Sequence, residues 1–209
     1  MAYLCENKCR IGIMGGSFDP IHYGHLNLAE QIRTQFDLDA IYFIPVGSAP
    51  HKNDNKMTDK YARYEMTLVA TLDNPNFEVS KLEIDNQEKS YTINTVKKIK
   101  EMLKASDELF FITGADAIIE LETWKSFKEL LGLVKFIAAT RPGITDTQLH
   151  LKIQDLIDKY DANITITEVP ALAISSTDIR ERVQTRKSIK YLLPETVEQF
   201  IYKNKLYME

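Results

Sequence analysis

Short runs rich in β-branched and aromatic residues alternate along this chain with longer segments of helical period, and that alternation restricts the fold more than any other feature. The runs are "CRIGIM" (Cys9 to Met14), "AIYFIPV" (Ala40 to Val46), "FEVSKLEI" (Phe77 to Ile84), "ELFFIT" (Glu108 to Thr113), "KFIAAT" (Lys135 to Thr140) and "NITITEV" (Asn163 to Val169). Strands separated by helix-length segments imply a parallel sheet covered on both faces. The expected fold is therefore α/β: a doubly wound, Rossmann-like parallel sheet with helices on both faces.

The intervening segments carry the helical period. Leu28, Ala29, Ile32 and Phe36 share one face of a helix predicted from about Gly24 to Asp37, with Glu30, Arg33 and Gln35 elsewhere. A second helix is predicted from Lys60 to Leu72, stopped by "DNPN". A third runs from about Tyr91 to Lys104, with Ile93, Val96, Ile99 and Leu103 as its apolar face and "KKIK" as a solvated one. After Val169 the pattern changes, because "SSTDIRERV" and "LPETVEQFIYKNKLY" both read as helices with no strand between them. We expect one domain over 1–209, with a Rossmann-like core to about residue 170 and a small helical C-terminal cap from about 171 to 209. The segment "GSAPHKNDNKMTDK" (Gly47 to Lys60) is long enough to be a functional loop.

Bulk properties exclude some classes of partner. A chain of 209 residues with 44% hydrophobic and 27% charged content can bury a sizeable core. A formal net charge of −4 supplies no global basic field, so neither nucleic acid nor an anionic membrane surface is expected as a partner. No apolar run reaches the ~20 residues needed to span a bilayer, and "MAYLCENKCR" lacks the apolar core of a signal peptide. Cys5 and Cys9 cannot close a zinc site by themselves and are expected as free thiols, in keeping with a cytoplasmic location.

The stretch "GIMGGSFDPIHYGHL", Gly12 to Leu26, lies just after the first strand, where open α/β sheets bind ligands. Gly15 and Gly16 let the backbone approach a phosphate, and the following helix start offers N–H groups to an anion. The spacing is not G-x-G-x-x-G and there is no Walker A lysine, which disfavours a redox dinucleotide protein. His22 and His25, three positions apart on a first helical turn, face the same way. As metal ligands they need a third partner, and His51 and His150 form no ligand pattern with them. As a packed structural pair they are poor core material. As donors aimed at phosphate oxygens they use the helix terminus as well, and we prefer that reading.

"GGSFDPIHYGH" resembles the signature of the nucleotidylyltransferase superfamily, whose H-x-G-H motif is shared with class I aminoacyl-tRNA synthetases. A second superfamily signature, I-S-S-T-x-I-R, is similar to Ile174, Ser175, Ser176, Thr177, Asp178, Ile179 and Arg180, about 150 residues further on. Serine and threonine there suit a helix cap, and Arg180 one turn in can fork onto phosphate oxygens. "PVGSAPHK" ending at Lys52, "SYTINTV" from Ser90, "GADAIIELETWK" from Gly114 to Lys125 and "TRPG" from Thr140 resemble the bacterial nicotinate-nucleotide adenylyltransferase family in particular.

That resemblance implies ATP, with Mg2+, as one substrate and nicotinate mononucleotide as the other. It assigns Gly15, Gly16, Ser17, Phe18, His22, His25, Ile174, Ser175, Ser176, Thr177 and Arg180 to ATP, with His22 and His25 as the catalytic residues. It assigns Lys52, Thr92, Gly114, Asp116, Trp124 and Arg141 to nicotinate mononucleotide, with Asp116 on ribose hydroxyls, Trp124 near the pyridine ring, and Lys52 and Arg141 on phosphate. No protein ligand for a metal is assigned, and a homo-oligomer is compatible with the resemblance. The helix start at Tyr91 and Thr92 would face the pyridine carboxylate with N–H donors and partial positive charge, without a lysine. Trp124 as a core anchor, Asp116 as an ordinary helix cap and Arg141 as a structural ion pair are the competing readings. A pantetheine-phosphate adenylyltransferase, or a non-catalytic nucleotide-binding module, is the alternative at the level of function.

Overall fold

The structure, a computed structural model, describes residues 8–48, 57–140, 147–170 and 172–208. Its strands are β1 Arg10–Gly16, β2 Ala40–Pro45, β3 Phe77–Val79, β4 Glu108–Gly114, β5 Lys135–Thr140 and β6 Ile164–Glu168. They form one parallel sheet in the order β3-β2-β1-β4-β5-β6. The order reverses between β1 and β4, and a crevice opens beyond their carboxyl ends.

Both faces of the sheet are buried, so the period-2 alternation of each strand feeds two cores. Ile11, Ile13, Tyr42, Leu109 and Phe111 point into a cluster with Val96 of α3 (Thr92–Met102), Leu131 of α5 (Phe127–Leu133) and Leu156 of α6 (Thr147–Tyr160). Met14, Ile41, Phe43, Phe110 and Ile112 point the other way. They meet Ile32 of α1 (Tyr23–Gln35), Met66 of α2 (Lys60–Thr71), Ile179 of α7 (Ser176–Gln184) and Val197 and Ile201 of α8 (Glu195–Lys203). The C-terminal helices therefore complete the second core, and Thr196 Oγ1 ties α8 to α2 by donating to the Val69 carbonyl at 3.0 Å.

Sequence and structure differ at identifiable places. The third strand stops at Val79 instead of running to Ile84. Ser80 Oγ accepts the Leu82 N–H at 3.2 Å and diverts the chain into a turn, from which Ile84 still reaches full burial. Its edge position, bonded to β2 alone, demands no longer ladder. Helix α8 ends at Lys203, and Lys205 and Tyr207 beyond it adopt left-handed backbone at φ 52° and 63°. Cys9 is buried and disulfide-bonded, which corrects the expectation of a free thiol there, and Cys5 lies outside the described residues. No helix of the described residues is long and apolar enough to cross a membrane.

Candidate active site

Beyond Gly16 the chain turns through Phe18, at φ 46°, and enters α1 with His22 at its N-cap. His22 is buried, and its ring stacks on that of His25 with centroids 3.8 Å apart and planes inclined by 28°. Phe18, 2% exposed, meets the His25 ring edge-on at 5.2 Å, so it supports the histidine from below. The glycine of the H-x-G-H spacing has a local cause: a β-carbon on Gly24 would lie 2.9 Å from both Cε1 and Nδ1 of His22. His25 Nδ1 accepts the backbone N–H of His22 at 3.3 Å, which leaves the imidazole proton on Nε2.

Burial lowers the His22 pKa to about 4, and burial together with the neighbouring His22 charge lowers His25 to about 3. At neutral pH both rings are therefore uncharged, and each offers one N–H. Above an ordinary histidine value of 6.5, folded and unfolded chains are both neutral at these positions. As pH falls below that value the unfolded chain takes up protons that the folded chain refuses, so stability declines from about 6.5 toward about 4 on account of His22 and toward about 3 on account of His25. We expect the His22 and His25 ring resonances to stay at neutral-imidazole positions from pH 8 to about 5 in an NMR titration of the ligand-free protein. A midpoint near the ordinary value for either ring would contradict this assignment.

The histidines face a cavity of about 540 Å³, bordered also by Asn27 and Leu28 of α1, Gly114, Asp116, Thr140, Val169, Leu172 and Ile174. A second cavity, of about 260 Å³, is bordered by Gly15, Gly16, Ser17, Glu83, Ser90, Thr92, Phe111, Thr113 and Trp124. Thr113 and Gly114 are consecutive in β4 and face opposite ways, so one borders each cavity and the two are neighbours. The division differs from the sequence expectation. Gly114 and Asp116 sit with the histidines, whereas Gly15, Gly16 and Ser17 sit with Thr92 and Trp124.

In the second signature, Ser175 caps α7 by accepting the Asp178 N–H at 3.1 Å, and Ile174 borders the larger cavity. The rest is engaged with the loop ahead of α1. Ser176 Oγ donates to the Pro20 carbonyl at 2.8 Å, and Arg180 donates to the Asp19 carbonyl at 2.6 Å and to Thr177 Oγ1 at 3.2 Å. Asp19, itself buried, also accepts the Tyr207 hydroxyl at 2.7 Å and the Thr58 N–H at 3.2 Å. Burial and the Asp19 charge push the Tyr207 hydroxyl up, so it stays a donor. The two signatures are thus one folded unit.

Thr92 opens α3, with Tyr91 at its N-cap in extended backbone. Trp124 is half-buried with its ring edge-on to Phe111 at 5.7 Å, so it is both a wall of the smaller cavity and a packed side chain. Asp116, in the first turn of the short α4 (Ala115–Ile119), is exposed. Lys52 and Arg141 lie outside the described residues. Among the described residues no group of three or more His, Cys, Asp or Glu side chains is placed to hold a metal ion.

Three residues escaped the sequence reading. The Lys125 ammonium sits 4.1 Å over the Tyr91 ring, which brings a lysine to the start of α3 after all. Arg63 is 1% exposed and donates to main-chain carbonyls around the site. Glu83 lines the smaller cavity, where burial pushes its carboxyl above the ordinary range. The one available signal was Arg63 itself, an arginine on the apolar face that Met66 and Ala70 share.

Residues 13–182 match the cytidylyltransferase-like family. A protein of Thermoanaerobacter sp. (strain X514) named "Probable nicotinate-nucleotide adenylyltransferase" is 52% identical over 202 residues, covering 97% of this chain and 96% of that one. One from Moorella thermoacetica with the same name is 52% identical over 198 residues, covering 95% and 91%. Among solved structures, Plasmodium falciparum nicotinic acid mononucleotide adenylyltransferase complexed with NaAD aligns with TM-score 0.77 at 22% identity, covering 95% of this chain and 97% of that one, and so shares the fold. With identity this high along nearly the whole chain, the protein belongs to the nicotinate-nucleotide adenylyltransferase family.

Proposed function

We infer that the protein transfers the adenylyl group of ATP to nicotinate mononucleotide, giving nicotinate adenine dinucleotide and pyrophosphate. The observation that carries this reading is the pair of neighbouring cavities at the reversal of the sheet order. ATP occupies the larger one, against His22 and His25, with the Asp116 carboxylate available to ribose hydroxyls. The pyridine nucleotide occupies the smaller one, between Trp124 and the start of α3. A phosphate oxygen of nicotinate mononucleotide attacks the α-phosphorus of ATP in line. A new P–O bond forms, the bond from the α-phosphorus to the bridging oxygen breaks, and pyrophosphate leaves with that electron pair.

The nucleophile is already an anion, so no general base is needed, and catalysis consists of positioning and charge stabilisation. His22 and His25 act as N–H donors to the phosphates, a role that their fixed, stacked geometry makes effective. The Ser175 to Thr177 cap with Ile174 and the guanidinium of Arg180 complete the ATP side, and the Gly15 to Phe18 backbone, which runs from the smaller cavity toward His22, lies where the two substrates meet. Lys52 and Arg141 are assigned to phosphate. Mg2+ accompanies ATP on phosphate oxygens and water. The described side chains form no cage for it, and we assign it no step.

Pyrophosphate release with ATP and magnesium, offered nicotinate mononucleotide, nicotinamide mononucleotide or phosphopantetheine in turn, tests this reading. We expect turnover with the first, weaker turnover with the second and none with the third. Turnover with phosphopantetheine alone would overturn the substrate assignment. In the same assay Lys125→Gln is expected to narrow the preference for acid over amide by about twofold to fivefold, the range of an exposed charge interaction. An unchanged ratio would remove Lys125 from substrate choice.

A further inference from the structure

A buried polar chain centred on two residues outside both signatures, Arg63 and Glu83, runs from the loop that leads into His22 to the start of α3. Arg63 Nη1 donates to the Ser17 carbonyl at 2.8 Å, and Nη2 to the carbonyls of Val46 at 2.7 Å and Gly47 at 3.3 Å. Its Nε donates to the Thr58 carbonyl at 2.9 Å, and the Thr58 N–H in turn reaches Asp19. Arg63 therefore grips the loop that leads into His22 directly at Ser17 and, through Thr58, at Asp19, and it grips the exit of β2 as well.

The exit of β2 is gripped from the other side by the segment that opens α3. The Gly47 N–H donates to Ser90 Oγ at 3.2 Å, and the Ser90 N–H donates to the Ser48 carbonyl at 2.8 Å. Glu83 accepts the Thr95 hydroxyl at 2.6 Å, and the nearby Ser90 hydroxyl and Gly47 N–H favour its ionised form. Gly47 lies flat on the Glu83 peptide: a β-carbon there would stand 2.1 Å from the Glu83 carbonyl oxygen. The Arg63 charge favours the ionised form of Glu83, against the effect of its burial. Such a close-packed, hydrogen-bonded chain transmits displacement without slack, because its members cannot move independently.

We propose that Arg63 and Glu83, acting through the Gly47 turn, are positioning residues that couple the two half-sites, so that ATP in one cavity organises the other for the pyridine nucleotide. The coupling rests on the function proposed above. Arg63 touches the histidine loop and Glu83 touches the start of α3, and neither alone spans the distance.

Trp124, the only tryptophan, borders the smaller cavity, so its fluorescence reports nicotinate mononucleotide there. The dissociation constant is measured with and without α,β-methylene ATP in the wild type, in Arg63→Lys and in Glu83→Gln; where quenching is silent, KM at low and saturating ATP gives the same ratio. We expect the analogue to tighten binding by about fivefold or more in the wild type and by less than about twofold in either variant. The ratio is taken where circular dichroism shows each variant folded with and without the analogue, so that ligand-induced folding adds nothing to it and a merely structural role would leave it intact. Thr95→Val, which removes only the hydroxyl held by Glu83, replaces any variant that fails to fold and is expected to weaken the coupling likewise. A wild-type ratio near one, or a wild-type ratio preserved in the folded variants, overturns the proposal. Absence of both nicotinate mononucleotide binding and turnover in the wild type would instead overturn the proposed function, and the coupling with it.

Discussion

Replacing His25 by alanine is expected to slow pyrophosphate release by roughly a hundredfold or more, the effect of losing one prearranged donor worth on the order of 3 kcal/mol. The Nδ1 of this ring already accepts the His22 N–H, so Nε2 is the donor left for phosphate, and alanine supplies none. The fold should survive. The ring stands at the wall of an open cavity, and its removal exposes the faces of Phe18 and His22 to solvent without opening a sealed void. His25→Gln, whose terminal amide can donate from a nearby position, should recover part of the rate. Steady-state pyrophosphate release, with circular dichroism to confirm folding, decides it. Near-wild-type turnover in a folded His25→Ala protein would remove the histidine from catalysis.

Gly47→Ala is expected to be the most damaging single-methyl change in the described part of the chain. Its new β-carbon would lie 2.1 Å from the Glu83 carbonyl oxygen and 2.9 Å from the carbonyl carbon, which are main-chain atoms with no rotamer to escape into. Relief requires the turn after β2 to move off Ser90 and Glu83. We expect a loss of about 3 kcal/mol, at the upper end for overpacking, and hence a fall in melting temperature of roughly 6–12 °C for a chain of this size. Gly15→Ala is the control, since nothing stands within 4 Å of its β-carbon. It should melt within about 1 °C of the wild type. Equal melting temperatures for Gly47→Ala and the wild type would show that the turn yields freely.

Local pattern was enough for much of the fold. Ile11, Ile13 and Met14 in β1, and Phe110, Phe111 and Ile112 in β4, declare buried strands because each strand's own alternation is complete in its residues. The first-helix face of Ala29 and Ile32 is legible for the same reason. So is Ser175 as a cap, since its partner Asp178 is three residues away. The end of the third strand is not legible in the same way, because "VSKLEI" keeps an apolar rhythm through a turn: Ile84 is buried from a turn as deeply as it would be from a strand.

Within the site, the boundary between local and distant is equally plain. The stacking of His22 on His25, and the need for glycine between them, involve residues at most three positions apart, so the motif spacing contains that information. The grip of Arg180 on Asp19 spans 161 positions, and nothing in either segment alone announces it. Lys125 reads as a solvated lysine until Tyr91 is brought beneath it.

By itself, then, the sequence determined the order of strands and helices, the glycine-rich turn, the paired imidazoles at a helix start and the family, all of which depend on neighbours along the chain. The tertiary structure alone decided the division of the crevice into two cavities at Thr113 and Gly114, and the polar chain that runs from Ser17 through Arg63 and Gly47 to Glu83 and α3. Those features are contacts between segments whose separation in sequence bears no relation to their distance in space. They exist only once burial has closed the sheet between its two cores and left main-chain carbonyls in need of donors.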